Sequence, residues 1–219
     1  MTASGRLGTA LAGPWLPVPV LAGRGPRGSG WHALLGTETG VVVVTAMLLP
    51  VAVAAVCGLA WWRRSSGVPT ARAWRRAVSE VGIVYGTAPF VWMTMLPGGR
   101  AGSDHGAVSL VPLRDLATMP TYQVVGNLLV FAALGFLAPV RLGRRASVLR
   151  VTAVAAACST LIEVAQYVLP LDRVSSVDDV LLNASGAAAA ALASTALLRG
   201  TDLLRRHRAL GRVEARADT

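Results

Sequence analysis

Lysine is absent from this 219-residue sequence, and charged residues of both signs make up only 15% of it. Without lysine, the chain cannot build a phosphate-binding P-loop or a lysine Schiff base. The charged fraction lies well below the roughly 25% that is usual in soluble domains, whereas apolar residues reach 53%. Together with a mean hydropathy of +0.54, these shortages predict a protein whose main solvent is lipid.

Cysteine and histidine are too few and too scattered for the chemistry they often carry. Cys57 and Cys158 both lie inside apolar runs, where we expect small core residues rather than a disulfide or a zinc site. His32, His105 and His207 have no spacing typical of metal ligands. The sequence therefore predicts no bound metal and no cofactor.

Five apolar runs follow a flexible, glycine- and proline-rich leader, residues 1–37, for which an ordered, an interfacial and a cleaved state all stay open. Each run has about the 20 residues that a helix needs, at about 1.5 Å per residue, to cross a hydrocarbon core of about 30 Å. The sequence therefore predicts an all-α polytopic transmembrane helix bundle over residues 38–200, followed by a basic cytoplasmic tail, 201–219. The predicted spans are 40–62, 78–96, 121–140, 148–169 and 178–198.

The arginines determine the predicted orientation. Fifteen of the 21 lie in two connections, 63–77 and 141–150, and in the tail after residue 198. The other six lie in the leader and in the 97–120 and 170–177 connections, so rich and poor segments alternate as five crossings require. By the positive-inside rule, the N-terminus is outside and the C-terminus is cytoplasmic. The same alternation disfavours a nucleic-acid partner, because nucleic-acid binding uses one continuous basic surface.

Polar side chains occur in the last three predicted spans, where lipid disfavours them and where they mark functional sites. They are Asn127 in the third span, Glu163 and Gln166 in the fourth, and Asp179 and Asn183 in the fifth. At about 1.5 Å per residue, all five lie within about 9 Å of the outer ends of their helices. We therefore expect them to meet at one level in the outer half of the membrane.

Helical spacing also places these groups on shared faces. Glu163 and Gln166 are three residues apart, and Asp179, Asn183 and Gly186 follow i, i+4 and i+7 spacing. Residues at these intervals lie on one side of a helix, so each pattern predicts a polar stripe. Gly186 would let a neighbouring helix or a ligand come close to that stripe.

A carboxylate at the membrane centre costs on the order of 3 kcal/mol on insertion scales, so a cationic partner is expected. Arg173, in the outer connection between the fourth and fifth spans, is the first candidate, and Arg114 is the second. Glu163 and Asp179 are the candidates for acid–base catalysis, whereas interhelical hydrogen bonding alone is the structural alternative. The predicted ligand-binding residues are Asn127, Glu163, Gln166, Arg173, Asp178, Asp179, Asn183, Gly186 and Arg114.

Two segments resemble the signature of the VanZ-like family, and the similarity extends over about 78–200. The first segment is Asn127-Leu-Leu-Val-Phe131-Ala-Ala-Leu-Gly135-Phe136. The second is Glu163-x-x-Gln166, then Arg173, then Asp179-x-x-x-Asn183-x-x-Gly186. The family often has proline between the Phe and the Gly of the first segment. Here Ala132 and Ala133 occupy that stretch. Because proline is the residue type that predicts a helix kink, this sequence gives no such prediction.

The resemblance implies a small multi-pass protein of the bacterial cytoplasmic membrane. Its family is named for an accessory role in resistance to teicoplanin, a lipoglycopeptide that acts at the cell envelope, and the resemblance supplies no reaction. The first of three open functions is a resistance-associated factor that binds a membrane lipid, a lipid-linked cell-wall precursor or a lipoglycopeptide. The second is a membrane enzyme that acts on a lipid-linked envelope intermediate through carboxylate chemistry. The third is a small transporter, for which no inverted repeat is visible, and the oligomeric state is equally open.

Overall fold

The structure, a computed structural model, describes residues 35–98, 107–143, 146–169 and 171–217, with side chains described as far as residue 203. Most of the predicted leader therefore lies outside the described residues. Two short strands, β1 (Val108–Ser109) and β2 (Ser175–Ser176), pair in parallel. The rest of the described secondary structure is helical: α1 (Glu38–Ser65), α2 (Thr70–Thr94), α3 (Thr121–Val130), α4 (Ala132–Leu142), α5 (Val148–Val168) and α6 (Val177–Ala217).

Length and hydropathy make this a membrane-spanning bundle. The predicted all-α polytopic architecture is confirmed, and α6 continues as a helix through most of the predicted tail, 201–219. Among the described residues, four helical stretches are long and apolar enough to cross a membrane: Glu38–Ser65, Thr121–Leu142, Val148–Val168 and Val177–Leu203.

The helix that contains the second predicted span, 78–96, falls short of that hydropathy. α2 begins at Thr70, before the predicted span, and its first three turns carry Arg72, Arg75, Arg76 and Glu80. Its 25 residues are nevertheless long enough to cross a bilayer, and it packs along α1 and α4. We therefore keep the interpretation of α2 as a fifth crossing helix with a basic start at the membrane surface. The direction of the termini depends on this crossing and stays a prediction.

Helix α6 lies at the centre of the bundle, where it packs against α3, α4 and α5. Two glycines permit this close packing. A Cβ on Gly186 would overlap the backbone carbonyl of Leu128 in α3, and a Cβ on Gly135 of α4 would overlap the backbone of Ala187. Small residues at such contacts are typical of helices that associate in lipid. The close approach brings the side chains of neighbouring helices within hydrogen-bonding reach.

The span Thr121–Leu142 is interrupted at Phe131, which has φ −112° and ψ 15°. The break separates α3 from α4 although alanine occupies positions 132 and 133. The absence of proline therefore does not preserve a continuous helix. Two close approaches to α6, at Leu128 and at Gly135, lie on either side of the break.

At the arginine-rich end of the bundle, Glu80 of α2 joins three helices. Its carboxylate accepts a hydrogen bond from Arg63 of α1 and another, at 2.6 Å, from Nε of Arg141 in α4. All three side chains are partly buried. One carboxylate therefore fixes the ends of α1 and α4 against α2.

Replacing this carboxylate gives a first prediction. We expect Glu80→Gln to lower the free energy of unfolding by about 1–2 kcal/mol, because two charge-assisted hydrogen bonds lose their acceptor charge while solvent partly screens the loss. Thermal unfolding of the purified protein in detergent measures this change. Glu38→Gln, at an exposed position in the first turn of α1, is the matched control, and equal melting temperatures for the two variants would contradict the prediction.

Candidate functional site

Glu163 lies near the end of α5 and is 9% exposed. Its Oε2 accepts a hydrogen bond from the backbone N–H of Ser176 at 2.9 Å, and its carbonyl oxygen accepts one from Ser175 Oγ at 3.0 Å. These two serines form β2, which pairs with β1. Glu163 therefore holds the connection between α5 and α6 against the end of its own helix.

Asp178, in the first turn of α6, is 1% exposed. Its carboxylate accepts hydrogen bonds from three backbone N–H groups, those of Leu113 at 2.5 Å, Asp115 at 2.9 Å and Leu116 at 3.1 Å. Leu113 has a φ of +64°, a left-handed conformation that is uncommon outside glycine. Asp178 is therefore the anchor of the 107–120 connection, and its acceptor sites are largely occupied by that role.

Asp115 lies in the same connection, outside the membrane-spanning segments. Its carboxylate accepts hydrogen bonds from the side chains of Ser109 and Ser176, and these bonds, Ser109 first, hold its pKa below the ordinary value. The positive charge of Arg114 acts in the same direction. Because a lowered pKa favours the ionised form, the contribution of these bonds to stability is present at neutral pH. It is lost only as the pH falls through the lowered pKa.

Asp179 and Asn183 lie one turn apart on α6 and reach two different helices. Asp179 accepts a hydrogen bond from Nδ2 of Asn127 in α3, and Asn183 Nδ2 donates to Ser159 Oγ in α5 at 2.7 Å. Asn183 is 2% exposed, whereas Asp179 is partly exposed. The polar side chains of α6 thus bind both α3 and α5. Asp179 is the more exposed of the two.

Gln166 and Arg173 both bind the carboxyl end of α2. Gln166 Nε2 donates to the carbonyl of Thr94 at 2.7 Å, and Arg173 Nη1 donates to the carbonyl of Leu96 at 3.1 Å. The last carbonyls of a helix lack partners within it, so these side chains complete the end of α2. We name these buried and partly buried polar residues the polar cluster: Asn127, Ser159, Glu163, Gln166, Arg173, Ser176, Asp178, Asp179 and Asn183.

A model of the VanZ/LLP1 family matches residues 83–199, which is more than half of the 219-residue chain. The chain belongs to the VanZ/LLP1 family. No curated protein and no solved structure gives a significant match. The matched region of this VanZ/LLP1 protein begins within α2 and ends within α6, so it contains the whole polar cluster.

Two residues predicted for the site stand apart from the polar cluster of the VanZ/LLP1 protein. Arg114 is exposed and interacts electrostatically with Asp115. Gly186 packs against the backbone of Leu128, so a helix, and not a ligand, occupies the space beside it. The other predicted residues lie in the cluster: Asn127, Glu163, Gln166, Arg173, Asp178, Asp179 and Asn183.

The role of Arg173 differs from the expected ion pair. It interacts electrostatically with Glu163 and with Asp179. Although all three residues are described, no ion pair within 4 Å joins the guanidinium to either carboxylate. The direct contact that Arg173 makes is the hydrogen bond to the Leu96 carbonyl. Glu163 and Asp179 are therefore influenced by a positive charge that does not occupy their hydrogen-bond acceptors.

Sequence reasoning missed Ser176, which organises the site. Ser176 donates to Asp115, its backbone N–H binds Glu163, and its Oγ accepts the backbone N–H of Asp178 at 3.2 Å. The last bond makes Ser176 the N-cap of α6. A serine just before a helix that begins with two aspartates is a recognisable N-terminal signal. The sequence could therefore have identified Ser176 as the N-cap.

The polar cluster is closed on the side that faces the arginine-rich end. Below the pair formed by Asn183 and Ser159, the buried residues Val130, Phe131, Ala155 and Ala187 form an apolar core. Along α6, the next buried polar residue of the described chain is Ser194, beyond Ala187 and Ala191. Between Asn183 and Ser194, the described residues of α6 contribute no buried polar side chain, so the polar cluster does not continue towards the arginine-rich end as a polar path for a transporter.

Proposed function

We propose that this VanZ/LLP1 protein is a cell-envelope factor associated with glycopeptide resistance, and that its polar cluster binds the polar headgroup of an amphiphile. The candidate ligands are a membrane lipid, a lipid-linked cell-wall precursor and a lipoglycopeptide such as teicoplanin. One observation carries the proposal. Two carboxylates from different helices, Glu163 of α5 and Asp179 of α6, both lie in the polar cluster, and the described residues donate a single hydrogen bond to each carboxylate.

The comparison with Asp178 supports a binding role for this pair. Asp178 receives three backbone hydrogen bonds, which suffice to explain a buried carboxylate. Glu163 and Asp179 lack such a complete set, although a pair of like charges in lipid is costly. Helix association alone would be served by amide side chains such as Asn127 and Asn183. Two carboxylates with incomplete sets of hydrogen bonds therefore favour interaction with a ligand over a purely structural role.

The access route supports an amphiphile as the ligand. Asp179 and Arg173 are partly exposed, while Glu163 and Gln166 behind them are buried. The site lies where α5 ends and α6 begins, and these are also ends of two helical stretches that are long and apolar enough to cross a membrane. A molecule whose chains stay in lipid can bring its headgroup to this position without leaving the membrane.

Tolerance to teicoplanin tests the proposed role. In a susceptible bacterium, we expect the wild-type protein to raise tolerance above the empty vector and Glu163→Gln to remove the gain. The loss of one charged hydrogen-bond acceptor weakens headgroup binding about tenfold or more. Asp202→Asn, at an exposed position of α6, is the control and keeps the gain. Equal tolerance with wild type and Glu163→Gln, at matched protein levels, would contradict the proposal.

The same carboxylate pair favours one alternative, a membrane enzyme that acts on a lipid-linked envelope intermediate. Two interacting carboxylates from separate helices can divide the roles of general acid and general base. In that case Glu163 and Asp179 are catalytic, and the extracted pool of lipid-linked precursors changes when the wild-type protein is overproduced. A pool that stays constant while tolerance rises supports binding without reaction.

A further inference from the structure

The buried side-chain atoms of the polar cluster that have no hydrogen-bond partner among the described residues are both acceptors. Gln166 is 4% exposed and uses Nε2 to bind the Thr94 carbonyl, which can only accept. The orientation of the amide is thereby fixed, and its Oε1 is buried without a partner among the described residues. Asn183 is 2% exposed and uses Nδ2 to bind Ser159, so its Oδ1 is left in the same state.

The carboxylates add two more free acceptors on the same helix faces. Glu163 accepts one hydrogen bond, through Oε2, and Asp179 accepts one, through Oδ1. The second oxygen of each accepts none from the described part of the chain. Gln166 follows Glu163 by about one turn on α5, and Asn183 follows Asp179 by one turn on α6, so each helix carries one buried amide oxygen without a partner and one carboxylate oxygen that accepts no hydrogen bond from the described residues. A ligand for this site must therefore bring hydrogen-bond donors.

The charge of the cluster narrows the ligand further. Glu163 and Asp179 have Arg173 as the nearby cation. Arg173 lies farther from both carboxylates than the distance of an ion pair, and it binds the Leu96 carbonyl. An anionic group placed between Glu163 and Asp179 would be repelled, and water would supply donors without balancing the charge. No group of three or more His, Cys, Asp or Glu side chains suited to a metal ion occurs in the described residues. An organic ammonium group supplies both the positive charge and up to three N–H donors.

We infer that the headgroup bound at this site carries a primary ammonium group next to an anionic group, as in an aminophospholipid. This inference rests on the proposed function of the site. The ammonium lies between Glu163 and Asp179 and donates to the free oxygens of these two carboxylates, and the phosphate or carboxylate of the same headgroup faces Arg173.

Three phospholipids with identical dioleoyl chains test this inference on the purified full-length protein. Phosphatidylethanolamine has an ammonium with N–H donors, phosphatidylcholine has the same charge without donors, and phosphatidylglycerol has hydroxyl donors without positive charge. Native mass spectrometry at equal lipid concentrations ranks their binding. We expect phosphatidylethanolamine to bind at least about tenfold more tightly than either of the others, since it alone meets both requirements.

Two variants connect this preference to the site. Asp179→Asn and Glu163→Gln each reduce the preference for phosphatidylethanolamine to near unity, while Asp202→Asn, on the same helix as Asp179, keeps it. Thermal unfolding confirms that the variants are folded. Equal binding of all three lipids, still dependent on Asp179, would overturn the ammonium inference but leave a headgroup site. Binding that is unchanged in both site variants would overturn the inference and the proposed site together.

Discussion

Asp178→Asn is expected to lower the free energy of unfolding by about 3 kcal/mol or more. The buried carboxylate accepts three backbone N–H groups, from Leu113, Asp115 and Leu116. An asparagine at this position keeps one acceptor oxygen and turns an NH₂ group towards the remaining N–H donors. A hydrogen bond to a charged group contributes about 1.5–3 kcal/mol, and these partly buried donors lose at least one such bond and the charge from the others. Thermal unfolding of the purified protein in detergent measures the loss.

The neighbouring residue provides the control for this prediction. Asp179→Asn removes the same charge one position later in the chain. The side chain of Asp179 is partly exposed, and its single acceptor contact with Asn127 can be kept by an amide oxygen. We expect a much smaller loss of stability here, together with the loss of headgroup binding. If both variants unfold at the same temperature, the anchoring role of Asp178 is wrong.

Hydrogen exchange localises the effect of Asp178→Asn. The amides of Leu113, Asp115 and Leu116 exchange faster once their acceptor is lost, because the 107–120 connection opens locally. Leu113 relaxes out of its left-handed conformation at the same time. The amides in the middle of α5 keep their protection at temperatures below global unfolding. A uniform increase over the whole bundle would argue against a local anchor.

The helix bounds show which part of the fold is readable from hydropathy. The run 148–169 corresponds to Val148–Val168, and the run 178–198 begins within one residue of Val177. In both cases polar or arginine-rich segments border the apolar run. The predicted start at residue 78 for α2 is late because the helix continues through a basic segment back to Thr70. Helical hydrogen bonds do not depend on hydropathy, so a hydropathy boundary is not a helix boundary.

The sequence indicated several members of the polar cluster and not their contacts. Depth and helical facing depend on spacing along the chain, and this spacing singled out Asn127, Glu163 and Asn183, whose side chains form hydrogen bonds in the structure. Partner choice depends on the path of the connections. Arg173 binds the Leu96 carbonyl, and Gln166 binds the Thr94 carbonyl, because the end of α2 lies beside them. The spacing of side chains along the sequence does not show which backbone carbonyls they will bind.

The second large effect is expected for Gly186→Ala. The added Cβ would overlap the carbonyl group of Leu128, and a backbone group inside a helix cannot move aside as a flexible side chain does. Overpacking of this kind costs about 1–3 kcal/mol or more. We expect the upper end of that range and a clear fall in the amount of folded protein recovered from membranes, measured by size-exclusion chromatography in detergent.

Gly126→Ala is the matched control, since Gly126 lies in α3, two residues before Leu128, and a Cβ there meets nothing within 4 Å. It should be neutral, or more stable by up to about 1 kcal/mol, because glycine is unfavourable inside a helix. The comparison also bears on the site. Any separation of α3 from α6 that accommodates the alanine at 186 moves Asn127 away from Asp179. Folded Gly186→Ala protein should therefore bind lipid headgroups more weakly, and normal binding with normal stability would show that the close contact of α3 with α6 does not position this pair.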